Sequence, residues 1–157
     1  KKSGNANSTG EFILINKQKF IIKGNPIPQK RHRMGRGFSY DPSAPDKKRV
    51  RVEILLANKK KFINKGPVNM WITFYMKRPK SHYRTGKFSN MLKKEAPLYH
   101  TAKPDIDNML KFIMDCCTGI LYKDDSQVHS VNASKVYCID VFGEPRTEID
   151  IVLNKGE

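Results

Sequence analysis

The stretch Lys103-Pro104-Asp105-Ile106-Asp107-Asn108-Met109-Leu110-Lys111, completed about a helix length later by Asp124-Asp125-Ser126, constrains this chain more than any other. It sets four carboxylates and a lysine close together in a protein whose net charge is +15. Such a cluster repels itself unless something cationic sits inside it, and a metal ion is the simplest candidate. Residues two apart diverge on a helix but share one face of an extended segment. Asp105 and Asp107 can therefore converge only if the chain is still extended there, which suits Pro104. A helix is expected to begin near Asp107 or Asn108, either of which can cap it. Beyond that point Met109, Phe112, Ile113, Cys116 and Cys117 recur at helical spacing as one buried face, while Asp107, Lys111 and Asp115 form an i, i+4 stripe on another. Gly119 is a natural stop.

With 157 residues the chain reads as one domain, residues 11–157, behind a polar, aperiodic leader at 1–10. An apolar fraction of 38% is enough for a folded core, and no apolar run approaches the roughly 20 residues that span a bilayer. Neither a signal peptide nor a membrane anchor is evident. Three cysteines, two of them adjacent, form neither a disulfide framework nor a zinc-ligand pattern. They read as small core residues in a reducing, cytoplasmic setting. The charge is uneven: residues 1–103 hold 25 Lys or Arg against 5 acids, and residues 104–157 hold 5 against 10. An acidic cluster in a basic setting suits an enzyme acting on a polyanion, and nucleic acid is the expected partner.

Along the chain, Glu11–Ile15 and Lys19–Lys23 read as two strands of a hairpin turning at Asn16-Lys17-Gln18. The segment from Gly24 to Tyr40 combines prolines, glycines and alternating basic residues, as a phosphate-contacting loop would, with Phe38 and Tyr40 read as anchors to the core, the alternative being that they stack on bases. A second helix is expected over about 43–60, with Val50, Ile54, Leu55 and Ala57 inside and Lys59-Lys60-Lys61 near its end. Val68–Met76 has the make-up of a central strand. Residues 77–102 read as a long basic loop, either a flap that orders on substrate or a surface insertion. Val128–Ile139 and Glu148–Leu153 complete the strands.

Hard oxygen ligands without a Cys or His pattern suit Mg²⁺, with Mn²⁺ as substitute, rather than zinc. In phosphodiester hydrolysis Lys111 is placed to add positive charge to the transition state. The bland alternative pairs Asp107 and Asp115 with Lys111 as helix-surface acids and reads Asp124-Asp125 as a turn. An EF-hand does not fit, because its sixth and twelfth positions counted from Asp105 are Leu110 and Cys116. Nor does a haloacid-dehalogenase phosphatase, since no hydrophobic strand precedes Asp105.

Lys-Pro-Asp-Ile-Asp-Asn-Met-Leu-Lys, then Asp115, then Gly-Ile-Leu-Tyr-Lys-Asp-Asp-Ser-Gln-Val resembles the signature of the RusA family of Holliday-junction endodeoxyribonucleases. Pro26-Ile27-Pro28-Gln29-Lys30-Arg31-His32-Arg33, with Phe38-Ser39-Tyr40-Asp41-Pro42, is similar to the family's proline-basic segment. The resemblance implies an α+β fold, a mixed sheet packed with two main helices, working as a homodimer on four-way DNA junctions. It also implies Asp105, Asp107 and Asp125 as metal-binding catalytic carboxylates and Lys111 as catalytic lysine, with Asp124 a neighbouring acid of unassigned role. Lys30, Arg31, Arg33, Arg36 and Lys103 are expected to hold DNA phosphates, and no small-molecule cofactor is expected. The rivals are a nuclease for flaps or other branched DNA and a non-catalytic nucleic-acid-binding module.

Overall fold

The computed structural model describes residues 16–59, 64–139 and 143–154. Four strands form one mixed sheet in the order β1 (Asn16–Lys23), β6 (Arg146–Leu153), β4 (Val68–Met76), β5 (Val128–Tyr137). β6 is antiparallel to both β1 and β4, whereas β5 runs parallel to β4. Parallel neighbours need a crossover, and α2 (Ile106–Cys117) lies on that connection. A small ribbon of β2 (Arg33–Met34) and β3 (Ser39–Tyr40) precedes α1 (Ala44–Ala57).

β4 is central because its sequence alternates: Val68, Met70, Ile72, Phe74 and Met76 are all buried, while Trp71 on the opposite face is 43% exposed. Ile149, Ile151 and Leu153 of β6 and Phe20 and Ile22 of β1 extend that apolar face. α2 covers it with Met109, Phe112, Ile113, Cys116 and Cys117, the five positions the helical spacing predicts. Burying each of the Met, Ile and Phe side chains stabilises the fold by about 1.5–3 kcal/mol, and truncating Phe112 to Ala costs about 3–5 kcal/mol. The helices thus lie on one face of the sheet, the α+β arrangement expected. All three cysteines are buried.

Three expectations are corrected. The turn at Asn16-Lys17-Gln18 is absent: these residues begin β1 and pair with Leu153, Val152 and Ile151. A strand with one solvated face accepts polar residues that local signals read as a turn. The expected partner strand, Glu11–Ile15, lies outside the described residues, as do the leader and Lys60-Lys61. α1 buries only Val50 and Ile54, with Leu55 and Ala57 exposed, because it meets the core along a narrow i, i+4 stripe. Phe38 and Tyr40 are exposed and pack on each other, with centroids 6.3 Å apart. Pro26 and Ile27 anchor that segment instead, Pro26 buried and Ile27 packed against the core.

The 77–102 segment contains two single-turn 3-10 helices, Lys80–His82 and Gly86–Phe88, and is exposed over most of its length. Its ends are fixed. The buried Arg78 donates to the Cys138 and Pro97 carbonyls at 2.9 and 2.8 Å. At the other end the His100 amide donates to Lys135 O at 3.1 Å, and the Tyr137 amide to Leu98 O at 2.9 Å, so this stretch lines the second half of β5.

Candidate active site

α2 begins at Ile106, slightly earlier than the spacing suggests, with Asp105 as its extended N-cap (φ −73°, ψ 143°) and Asp107 as the second helical residue. An extended cap followed by a helical turn puts both carboxylates on one side. They border a cavity of about 640 Å³ whose walls include Tyr99, His100, Ser134 and Lys135. Acids in a first turn are favoured by the helix dipole. Yet Asp105 makes no side-chain cap bond, and neither carboxylate has an ion pair among the described residues.

Two residues of this cavity escape sequence reasoning. Lys135 donates to the carbonyls of Ala102 and Pro104 at 2.5 and 2.7 Å, holding the loop that delivers Asp105. It was detectable as a lysine at the inward phase of an apolar strand, opposite the buried Phe74. His100 packs at a tilt against Tyr137, with centroids 4.8 Å apart and ring planes at 56°, and its buried Nδ1 has no hydrogen-bond partner among the described residues. Burial, and then the Lys135 charge, lowers its pKa below the ordinary value, so the imidazole is neutral near pH 7. No local motif marks it.

The basic loop lies on another side of α2. The Gln29 amide donates to Asn108 O at 2.9 Å, and the Lys30 amide to the Ser43 hydroxyl at 2.8 Å. This seats Lys30, Arg31 and His32 with Lys111 around a second cavity of about 270 Å³. Arg33 on β2 and Arg36 in the following turn are exposed, as is Lys103. Lys30 also pairs with Asp46 at 3.6 Å, an exposed contact of little energetic weight.

Asp115 does not pair with Lys111. Lys47 reaches across from α1, its ammonium 2.8 Å from Asp115 and 2.9 Å from Asp41. Burial pushes the Lys47 pKa down, but the hydrogen bonds that Lys47 donates to Asp115 and Asp41 outweigh it and the net shift is upward. The same bond from Lys47, helped by the Ser43 amide and Gln29 against a desolvation penalty, holds Asp41 at about 2. Arg51 donates to the carbonyls of Asp115, Cys116 and Thr118 at 3.2, 3.3 and 2.7 Å, satisfying the C-terminal end of α2.

Asp124 has a structural task. It caps a short 3-10 turn (Asp125–Gln127), accepting from the Ser126 amide at 2.9 Å while Gln127 accepts the Asp124 amide at 2.9 Å. The bonds from Ser126 lower the Asp124 pKa. Gln127 in turn donates to the carbonyls of Asn64 and Gly66 at 3.0 and 2.8 Å. Asp125 is exposed beside it, beyond the C-terminal end of a helix roughly 18 Å long. Among the described residues no three His, Cys, Asp or Glu side chains form a group that holds a metal. Within one chain, then, Asp105 and Asp107 come together, Lys111 follows one turn on but faces the basic-loop cavity, and Asp125 stands at the far end. A pair of unpartnered carboxylates fits Mg²⁺, which typically takes one or two carboxylates and completes its shell with water and substrate phosphate. Among the described residues, no helix is long and apolar enough to cross a membrane.

A family model described as endodeoxyribonuclease RusA matches residues 23–152. The chain is also 33% identical, over 138 residues, to the uncharacterized protein YqaN of Bacillus subtilis (strain 168). That match covers 85% of this chain and 94% of the relative.

Proposed function

The chain belongs to the RusA endodeoxyribonuclease family, and on that premise we propose that it is a Mg²⁺-dependent homodimer that resolves four-way DNA junctions by paired phosphodiester hydrolysis in recombination and repair. The observation that carries this reading is the open Asp105–Asp107 pair at the start of α2, without an ion pair among the described residues in a strongly basic chain. A divalent cation held there supplies a Lewis acid for the scissile phosphate and an activated water. Lys135 fixes the approach of Asp105, and the neutral His100 forms a wall of the same cavity. On the adjoining side Lys30, Arg31 and Lys111 bind the phosphates of the strand being cut, Lys111 nearest the acids in sequence. Arg33, Arg36 and Lys103 extend that contact along the backbone.

The third carboxylate of the proposed site, Asp125, is contributed by the second protomer. Its place at the opposite end of α2 is what motivates this, together with the two-fold symmetry that a two-fold junction asks of its resolvase. Cleavage of four-way, Y-shaped and linear duplexes of one sequence in Mg²⁺ tests the reading. Paired nicks confined to the four-way substrate are expected. Equal cutting of the Y-shaped DNA shifts the assignment to a general branch nuclease, and no Mg²⁺-dependent product from any substrate leaves only a binding protein.

A further inference from the structure

Residues 77–94 hold seven Lys or Arg and no acid. Arg78 is buried at the root; Lys77, Lys80, Arg84, Lys87, Lys93 and Lys94 are exposed, and none of them has an ion pair among the described residues. Their backbone is ordered into a small hairpin. The Arg84 amide donates to Met91 O at 2.8 Å and the Lys93 amide to His82 O at 2.9 Å, with Tyr83 and Leu92 bridged antiparallel between them. The 3-10 turn Gly86–Phe88 forms the tip. At its foot the His82 ring meets the Tyr137 ring edge to face, centroids 4.8 Å apart, and the Arg78 guanidinium lies 5.1 Å over the same ring. His100, a wall of the Asp105–Asp107 cavity, packs on Tyr137 as well. One tyrosine thus ties the hairpin to the cavity.

At the tip Phe88 is 45% exposed, and the Lys87 ammonium lies 5.1 Å from its ring centroid. Lysines alone serve solubility, but a flat ring presented among cations on an anchored hairpin offers nucleic acid two contacts at once: the cations take phosphates and the ring takes a base face. We propose that the 82–93 hairpin selects branched over linear DNA, Arg84, Lys87 and Lys93 holding backbone phosphates beside the cavity while Phe88 stacks on a base left uncovered where the helices part. This rests on the nuclease reading above and adds to it the residue that recognises the branch. Inside a linear duplex every base is covered on both faces by its neighbours, so the ring finds a partner there only after unstacking, whereas a branch point already exposes a face.

The test measures affinity for a four-way junction and for a linear duplex of the same sequence, in EDTA so that cleavage does not enter. Every substituted residue is exposed, so melting temperatures should hold. Phe88→Ala should bind the junction at least about fivefold more weakly with linear-duplex affinity unchanged, and Phe88→Trp should keep the wild-type ratio of the two. Lys87→Gln/Lys93→Gln should weaken both and make the dependence of log Kd on log salt shallower by about 1 to 2. Lys17→Gln/Lys23→Gln, which removes the same charge from β1 at the opposite edge of the sheet, should leave that slope as it is. A Phe88→Ala protein with the wild-type ratio, or hairpin lysines that matter no more than those of β1, overturns the proposal; if the wild type still cuts the junction in Mg²⁺, the nuclease reading stands. A wild type that neither binds nor cuts branched DNA overturns both.

Discussion

Two groups of acids flank α2, and they are used in opposite ways. Asp41 and Asp115 close on Lys47, whose ammonium lies within 2.9 Å of both, with Ser43 and Gln29 completing the Asp41 contacts. Asp105 and Asp107 sit one or two residues either side of the helix start, exposed, without an ion pair among the described residues. The first group ties α1 to α2; the second faces a cavity. The same residue type is structural where the fold supplies its counter-charge; under the function proposed above, the second pair takes its counter-charge from a bound cation.

The largest expected effect separates the protomers. Asp107→Asn and Asp125→Asn should each lose at least about a thousandfold in junction cleavage while retaining binding. Mixed and re-equilibrated, they should recover nicking, because one site of each heterodimer then holds both native acids. A mixture as inactive as its parts would place Asp125 outside the site or in the same chain's site.

Next comes Lys47→Met, which leaves Asp41 and Asp115 facing each other with no cation between them. Because the ammonium is partly shielded, the loss is expected at about 2–3 kcal/mol, read as a lowered midpoint in urea. A variant as stable as the wild type would remove the structural half of the comparison.

A smaller effect concerns acid. Asp41, held at about 2, takes up a proton more readily in the unfolded chain. It therefore contributes stability that is present above about pH 4 and is lost as the pH falls toward 2. Asp41→Asn should flatten the melting temperature between pH 4 and pH 2 relative to the wild type. The smallest effect is expected at the exposed Lys30–Asp46 pair: Asp46→Asn should leave stability within about 0.5 kcal/mol.

The parts of this arrangement that depend on one stretch of chain were legible in the sequence. The buried face of α2 follows from the spacing of Met109, Phe112, Ile113, Cys116 and Cys117, and β4 from its alternation of bulky apolar residues. Asp105 and Asp107 do line one cavity, but not by the extended segment the sequence suggests: Asp107 is already helical and only the Asp105 cap is extended, so a cap and a first turn place them there. What depends on distant chain was not. Lys47 and Asp115 are 68 residues apart, and Lys135 meets Pro104 across 31, so no local pattern announces either contact. Asn16–Gln18 reads as a turn until β6 is beside it. The separation of Asp125 from its sequence companions follows from the helix that stands between them, and spacing alone does not reveal it.

The most direct measurement compares Asp107→Asn with Asp115→Asn, two isosteric changes on one helix, in a single assay of Mg²⁺-dependent junction cleavage and thermal melting. The account predicts that Asp107→Asn abolishes cutting at an unchanged melting temperature, and that Asp115→Asn lowers the melting temperature while cutting normally when folded. Undiminished cleavage by Asp107→Asn, with cleavage lost in a fully folded Asp115→Asn, would contradict it.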